Sequence, residues 1–174
     1  MTDFSNIEYL KTGNQKQIQA YETLKQNKVM EVLSEFDPIL AGTIPINIDI
    51  ENSDLDIICY WENKTEFVSR VSSLFENKTD FKIQETIIDQ HESVVANFKI
   101  DDFEIEIFGQ NIPTKNQNAY KHMVIQNEIL ESKGENFRLE IIKLKQNGYK
   151  TEPAFGELLG LKINPYLELL EYKL

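Results

Sequence analysis

Cysteine is nearly missing from this 174-residue chain: Cys59 stands alone. An intrachain disulfide and a cysteine-built zinc site are therefore excluded, and a reducing cytoplasm is the expected setting. Arginine is almost as scarce, with only Arg70 and Arg138, and 29 acids face 18 bases for a net charge of −11. Duplex nucleic acid is held by lysines and arginines that displace counterions, so a general nucleic-acid binder is disfavoured. A small anion that brings its own metal is still admissible, as is a localised contact with an RNA end, because a bound ion changes the local balance. Apolar runs are too short to span a membrane, and the first residues carry Asp3 and Glu8 with no apolar core, so no secretory leader is expected. A Walker loop, a dinucleotide fingerprint and a Ser–His–acid signature are all lacking.

What remains is the composition of a soluble globular protein, 41% hydrophobic and 27% charged, of a length that suits one domain over 1–174. About 1–112 is expected to form a sheet core with helices and about 113–174 a set of C-terminal helices. Ile18, Tyr21 and Leu24 share a helical face continued by Val29, Val32 and Leu33, which predicts helix over 14–35 with a break at Asn27. Short extended segments follow at 38–41 and 53–61, separated by a loop over 44–53, and Phe67, Val71 and Leu74 mark a helix over 63–77. Three further strands are expected at 81–88, 93–100 and 103–108, turning at His91-Glu92 and at Asp101-Asp102. From Lys115 onward the pattern is helical, punctuated by Gly134 and Gly148, with new starts at Thr151-Glu152-Pro153 and Asn164-Pro165. The expected class is α+β (an α/β two-layer arrangement), a mixed sheet flanked by helices.

The chemistry concentrates between residues 42 and 57. Asp54 and Asp56 alternate with Leu55 and Ile57, so in a strand the two carboxylates share one face and the apolar pair the other. Adjacent carboxylates repel unless a cation or proton lies between them, and a hard divalent ion is the natural occupant, magnesium first and manganese as the alternative. The Gly42-Thr43 turn upstream offers backbone amides and a hydroxyl to phosphates. In Phe103-Glu104-Ile105-Glu106-Ile107 the acids again share a face. If the two acidic strands are neighbours, Glu106, Glu104 or both would join Asp54 and Asp56, the three carboxylates that two-metal nucleotidyl transfer uses. Gln117, Asn118, Lys121 and His122 fall at the start of a long helix, where free amides favour anions. Core packing is the default for Tyr120, Phe155 and Tyr166.

Gly42-Thr43, a ten-residue gap, Asp54-Leu55-Asp56-Ile57 and a later acidic strand together resemble the polymerase-beta-like nucleotidyltransferase superfamily. Over most of its length the chain is also similar to the bacterial domain-of-unknown-function family 4269. That likeness rests on Ile39-Leu40-Ala41-Gly42-Thr43-Ile44-Pro45-Ile46, Ser53–Ile57, Ile105–Gln110, Gln117–Met123 and Lys150–Phe155. The resemblance implies a nucleotidyltransferase-like fold and a metal-dependent enzyme that moves a nucleoside monophosphate from an NTP to an unidentified acceptor hydroxyl. A non-catalytic nucleotide-binding or regulatory module on the same fold is the alternative. On the enzymatic reading Asp54, Asp56 and Glu106 are catalytic, the same three with Glu104 bind two magnesium ions, and Gly42, Thr43, Ser53, Lys121 and His122 hold the nucleotide. Thr43 stands where serine is commoner, and the third acid is a glutamate with two candidates.

Overall fold

The computed structural model describes residues 2–174. A capping box opens α1 (Gln15–Gln26): the Asn14 side chain accepts from the Gln17 amide, and the Gln17 side chain accepts from the Asn14 amide. Before it, Glu8–Thr12 forms a 3₁₀ turn that periodicity did not reveal, and this turn carries Leu10 into the core. The expected break at Asn27 is present: Lys28 takes a left-handed conformation (φ 54°) between α1 and the short α2 (Val29–Val32). α3 (Lys64–Phe75) begins where the Asn63 side chain accepts from the Glu66 amide, and it buries Phe67, Val71 and Phe75 at helical spacing.

The sheet has five strands in the order β1-β2-β5-β4-β3. β1 (Ile39–Ala41) runs antiparallel to β2 (Leu55–Tyr60), and β2 runs parallel to β5 (Phe103–Gln110). β3 (Thr79–Ile88), β4 (His91–Ile100) and β5 form an antiparallel meander. The first hairpin is tighter than expected. His91 and Glu92 pair with Ile88 and Ile87 as part of β4, and the reversal occurs at Asp89 and Gln90, both at positive φ (50° and 68°). Two such residues twist a hairpin in the same sense as its strands, so the strands can pair right up to a two-residue loop. The second reversal falls at Asp101-Asp102 as expected.

Side-chain alternation divides the interior into two cores. Leu55, Ile57 and Cys59 of β2, Val94, Ala96 and Phe98 of β4, and Ile105 and Ile107 of β5 pack with Leu24, Leu33, Phe67, Val71 and Phe75 from the N-terminal helices. On the opposite face Ile39, Ala41 and Ile58 pack with Met123, Ile129, Ile141, Phe155 and Leu169. These come from α4 (Asn118–Lys133), α5 (Glu135–Gln146), α6 (Thr151–Leu159) and α7 (Pro165–Leu170). The C-terminal helices thus cover the β1–β2 side of this face. Phe155 lies in that core as expected, whereas Tyr166 is 42% exposed. Among the described residues no helix is long and apolar enough to cross a membrane.

Gly109 shows how tightly the first core is filled. A Cβ built there would fall on the Phe67 ring and against Trp61. Close-packed interiors absorb an added methyl only by moving neighbours. Gly109→Ala is expected to destabilise the protein by about 1–3 kcal/mol, read as a lower urea midpoint with an unchanged denaturant slope.

Candidate functional site

The parallel β2–β5 pair decides what meets what. Its register sets Leu55 against Ile105, Asp56 against Glu106, Ile57 against Ile107 and Ile58 against Phe108. Partners across a ladder project from the same face, so Asp56 and Glu106 lie side by side on strands about 4.8 Å apart. Gly42, where β1 ends, has φ +81°, and a Cβ there would collide with an Asp56 carboxylate oxygen. Glycine alone gives both the left-handed turn and the close approach of backbone to carboxylate.

Between Gly42 and Asp54 the chain has no regular structure, yet it is firmly held. Gln17 Nε2 donates to the carbonyls of Ile44 and Pro45, Lys16 Nζ to those of Ile50 and Glu51, Arg138 Nη1 to Asn47 and Lys145 Nζ to Ile48. Thr43 Oγ1 and Ser53 Oγ lie 3.2 Å apart, and Ser53 Oγ accepts from the Ile50 amide at 2.9 Å. The two hydroxyls expected to face a nucleotide therefore also tie the ends of the loop together. Side chains from α1 and α5 take up carbonyls that a loop this close to the core would otherwise leave unpaired.

Lys145 was not singled out by the sequence reading. It is 7% exposed, and burial pulls its pKa down to about 8 against the opposing pull of Asp49, Glu152, Asp54 and Asp56. Its position four residues after the buried Ile141, on the inward stripe of α5, was the available signal. Asp56 is shifted the other way. Burial, then Asp54, then Glu106 push its pKa up to about 7, with Lys145 opposing. Glu106 Oε2 accepts from Asn97 Nδ2 at 3.2 Å. Glu104 is 72% exposed, with Lys99 at 3.7 Å as its nearest cation.

Two cavities flank these acids. The larger, about 580 Å³, is lined by Gly42, Thr43, Asp56, Glu106, Lys121 and His122 together with Gln117, Gln126 and Glu152. The other, about 470 Å³, is lined by Asp54, Glu104 and Glu106 with Asp80, Lys82 and Lys99. Glu106 borders both. Thus Gly42, Thr43, Asp56, Glu106, Lys121 and His122 share one space, Asp54 and Glu104 face the second, and Ser53 lines neither. His122 is half-buried with its pKa lowered by burial, against the raising effect of Glu152. Its Nδ1 has no partner, and its ring meets Tyr166 edge-on. Among the described residues no three His, Cys, Asp or Glu side chains close around a common point as they stand. The donor set nonetheless suits a hard cation: carboxylate oxygens only, beside a glycine turn.

The Asp56 shift has a definite sign. A carboxyl whose folded pKa is raised adds no penalty below its unfolded value near 4, and its penalty grows from there until it is complete above about 7. Without divalent ions, Asp56→Asn is expected to be more stable than the parent at pH 8, by up to about 4 kcal/mol. The difference should shrink steadily toward pH 4. Thermal melts of both proteins across that range, in chelator, measure it.

Solved structures sharing this architecture include nucleotidyltransferases that act on RNA. A structure of the Cid1 poly(U) polymerase bound to Mg 3′-dATP superposes with TM-score 0.57 at 11% identity, over 90% of this chain and 48% of that one. A cytoplasmic RNA terminal U-transferase gives 0.57 at 10% identity, over 96% and 54%. The polymerase core of TRAMP, an RNA surveillance complex, gives 0.54 at 13%, over 94% and 50%. The chain spans about half the length of these structures, and at such identities the likeness establishes the fold. No curated protein matches it. A family profile described as "Domain of unknown function (DUF4269)" matches residues 22–172, and the chain belongs to that family.

Proposed function

We propose that this chain is a metal-dependent nucleotidyltransferase that moves a nucleoside monophosphate from an NTP to an acceptor hydroxyl. The pairing of Asp56 with Glu106 behind the Gly42 turn, on the wall of a cavity large enough for a nucleotide, carries this reading. Asp54, Asp56 and Glu106 would hold magnesium, with Glu104 within the same acidic strand face. When bound, the ions would neutralise the triphosphate and make pyrophosphate a better leaving group.

The chain's own groups would do the rest. Backbone amides at Gly42-Thr43 and the Thr43 hydroxyl cradle the β- and γ-phosphates, and Lys121 offers a countercharge at the cavity wall. Glu106, which borders both cavities, takes the proton of the acceptor hydroxyl as its oxygen attacks the α-phosphorus. The bond from that phosphorus to the bridging oxygen breaks, and pyrophosphate departs through the larger cavity. On this reading the nucleotide occupies that cavity and the acceptor enters from the second one.

The surroundings bear on the acceptor. The second cavity presents Asp54, Asp80, Glu104 and Glu106 against Lys82 and Lys99, and Lys99 is already engaged by Asp80 at 2.9 Å. With a net charge of −11, this favours a small hydroxyl compound over a long polyanion. An RNA end is the second reading, favoured by what the named structures act on. A nucleotide-binding module without turnover is the third.

Incubating the protein with each NTP, magnesium and a panel of hydroxyl acceptors, including a short RNA, tests these readings. Pyrophosphate release is expected, falling at least about 100-fold in Asp56→Asn, the scale on which loss of one charge-stabilising group acts. Magnesium with NTP should raise the melting temperature of the parent and leave that of the variant unchanged. Binding without release under every acceptor would leave the non-catalytic reading. No binding of any NTP with magnesium present would end the nucleotidyltransferase reading.

A further inference from the structure

The wall of the larger cavity reads in steps along β2 and β5. Residues of one face come in pairs: Asp56 with Glu106, then Ile58 with Phe108, then Tyr60 with Gln110. The surface passes from carboxylate through an aliphatic–aromatic pair to an amide, and Asp56, Glu106, Ile58, Phe108 and Gln110 all border the cavity. At a rise of about 3.3 Å per residue, Cys59 lies about 10 Å along the strand from Asp56. That span matches the reach from an α-phosphate across a ribose to the far edge of a base.

Gln117 closes that end. It is 2% exposed and borders the cavity. Its Nε2 donates to two carbonyls, Cys59 O and Ile112 O, each at 2.9 Å. Both partners are acceptors, so the nitrogen must face them and the amide orientation is settled. Its Oε1 is left with no donor from the protein. An unpaired buried acceptor is costly and rare in a folded protein, and this one belongs to a cavity-lining residue. Gln117 also precedes the first turn of α4, a sixteen-residue helix that begins without a side-chain cap. The opening amides of that helix are donors without intrahelical acceptors. An orphan acceptor and the donor-rich start of α4 thus belong to one stretch of chain, and Gln117 shares the cavity wall with Ile58 and Phe108.

We propose that Gln117 reads the base of the bound nucleotide, its Oε1 accepting a hydrogen bond from a base N–H. The base lies against Phe108 and Ile58, and the α4 amides donate to the acceptor beside that N–H. The ligand chemistry is a flat heterocycle with a donor next to an acceptor, which the hydrogen-bonding edge of each standard base presents. Gln117 is thus a specificity-determining residue, remote from the carboxylates. This assignment rests on the nucleotidyltransferase reading and adds selectivity to it.

The test measures affinities of the four NTPs with magnesium for the wild-type protein. The preferred nucleotide is then compared with its analogue lacking the base N–H: purine riboside triphosphate for adenine, 3-methyluridine triphosphate for uracil, or the corresponding analogue for cytosine or guanine. The wild type is expected to lose at least tenfold in affinity with the analogue. Gln117→Met, checked for folding by circular dichroism, should bind the two nucleotides within twofold of each other, with its response to magnesium retained. Equal binding of the pair by the wild type overturns the assignment whether or not the variant folds, as does a preference that survives in a folded Gln117→Met. Either result leaves the nucleotidyltransferase reading standing. Failure of every NTP to bind removes both.

Discussion

Two carboxylates are held together where neither can move far from the other. Asp56 and Glu106 are partners in a parallel ladder, and their spacing follows from backbone hydrogen bonds that have no stake in their charge. Slipping the register by one residue would turn Leu55 or Ile57 out of the first core and bring a carboxylate into it. Those apolar residues are fully buried, so hydrophobic burial on one face enforces repulsion on the other. The molecule contains the result by local means: a raised proton affinity at Asp56, an amide donor from Asn97 to Glu106, and a buried ammonium nearby.

That ammonium ties the C-terminal helices to the acids. Lys145 comes from α5 and reaches the Ile48 carbonyl at 2.6 Å, while Arg138 of the same helix reaches Asn47 at 2.8 Å. From the other side of the sheet, Lys16 and Gln17 of α1 bind the carbonyls at the loop's two ends. The loop between the glycine turn and the two aspartates is thus clamped from both helical layers. Its conformation depends on side chains far away in sequence, so the acids keep their place only when both layers are docked. A buried lysine is costly unless compensated. Here Asp49, Asp54, Asp56 and Glu152 supply that compensation, and each part of the arrangement makes the other tolerable.

Local patterns were readable and long-range ones were not. Leu55-Asp56-Ile57 and Glu104-Ile105-Glu106-Ile107 announce their faces by alternation alone, whereas Asp54 precedes β2, and the acidic pair at 101–102 marks its turn. The break at Asn27, the irregular segment over 44–53 and the start at Asn164-Pro165 are likewise signals a few residues long. The first hairpin was displaced by two residues because Asp89 and Gln90 carry no glycine or asparagine to mark positive φ. Lys145 escaped notice because its hydrogen-bond partner is the Ile48 carbonyl, 97 positions away, and a carbonyl leaves no trace in residue identity. Gln117 drew attention as part of a helix start. Its orphan oxygen exists only because Cys59 and Ile112 meet its nitrogen, a coincidence of three segments that no spacing rule contains.

The contrast between the two cavities follows from the same register. Alternation places Asp56, Ile58 and Gln110 on one face, so a ligand lying along that face meets charge, then apolar surface, then amide, in an order set by strand direction. The opposite side of Glu106 has no such gradient: Asp54, Asp80 and Glu104 crowd it, with Lys99 shared between Asp80 and Glu104. With a cation on its carboxylates, a surface that grades from charged to apolar would suit a molecule with an anionic and an aromatic end, as a nucleotide has. A surface of interleaved acids and lysines suits a small polar molecule with several hydroxyl or ammonium groups, and repels a chain of phosphates. Among the described residues Glu106 alone lines both cavities, and under the proposed reaction the attacking hydroxyl would meet its base at that boundary. A glutamate reaches one methylene further than an aspartate would, which suits a side chain that borders both cavities.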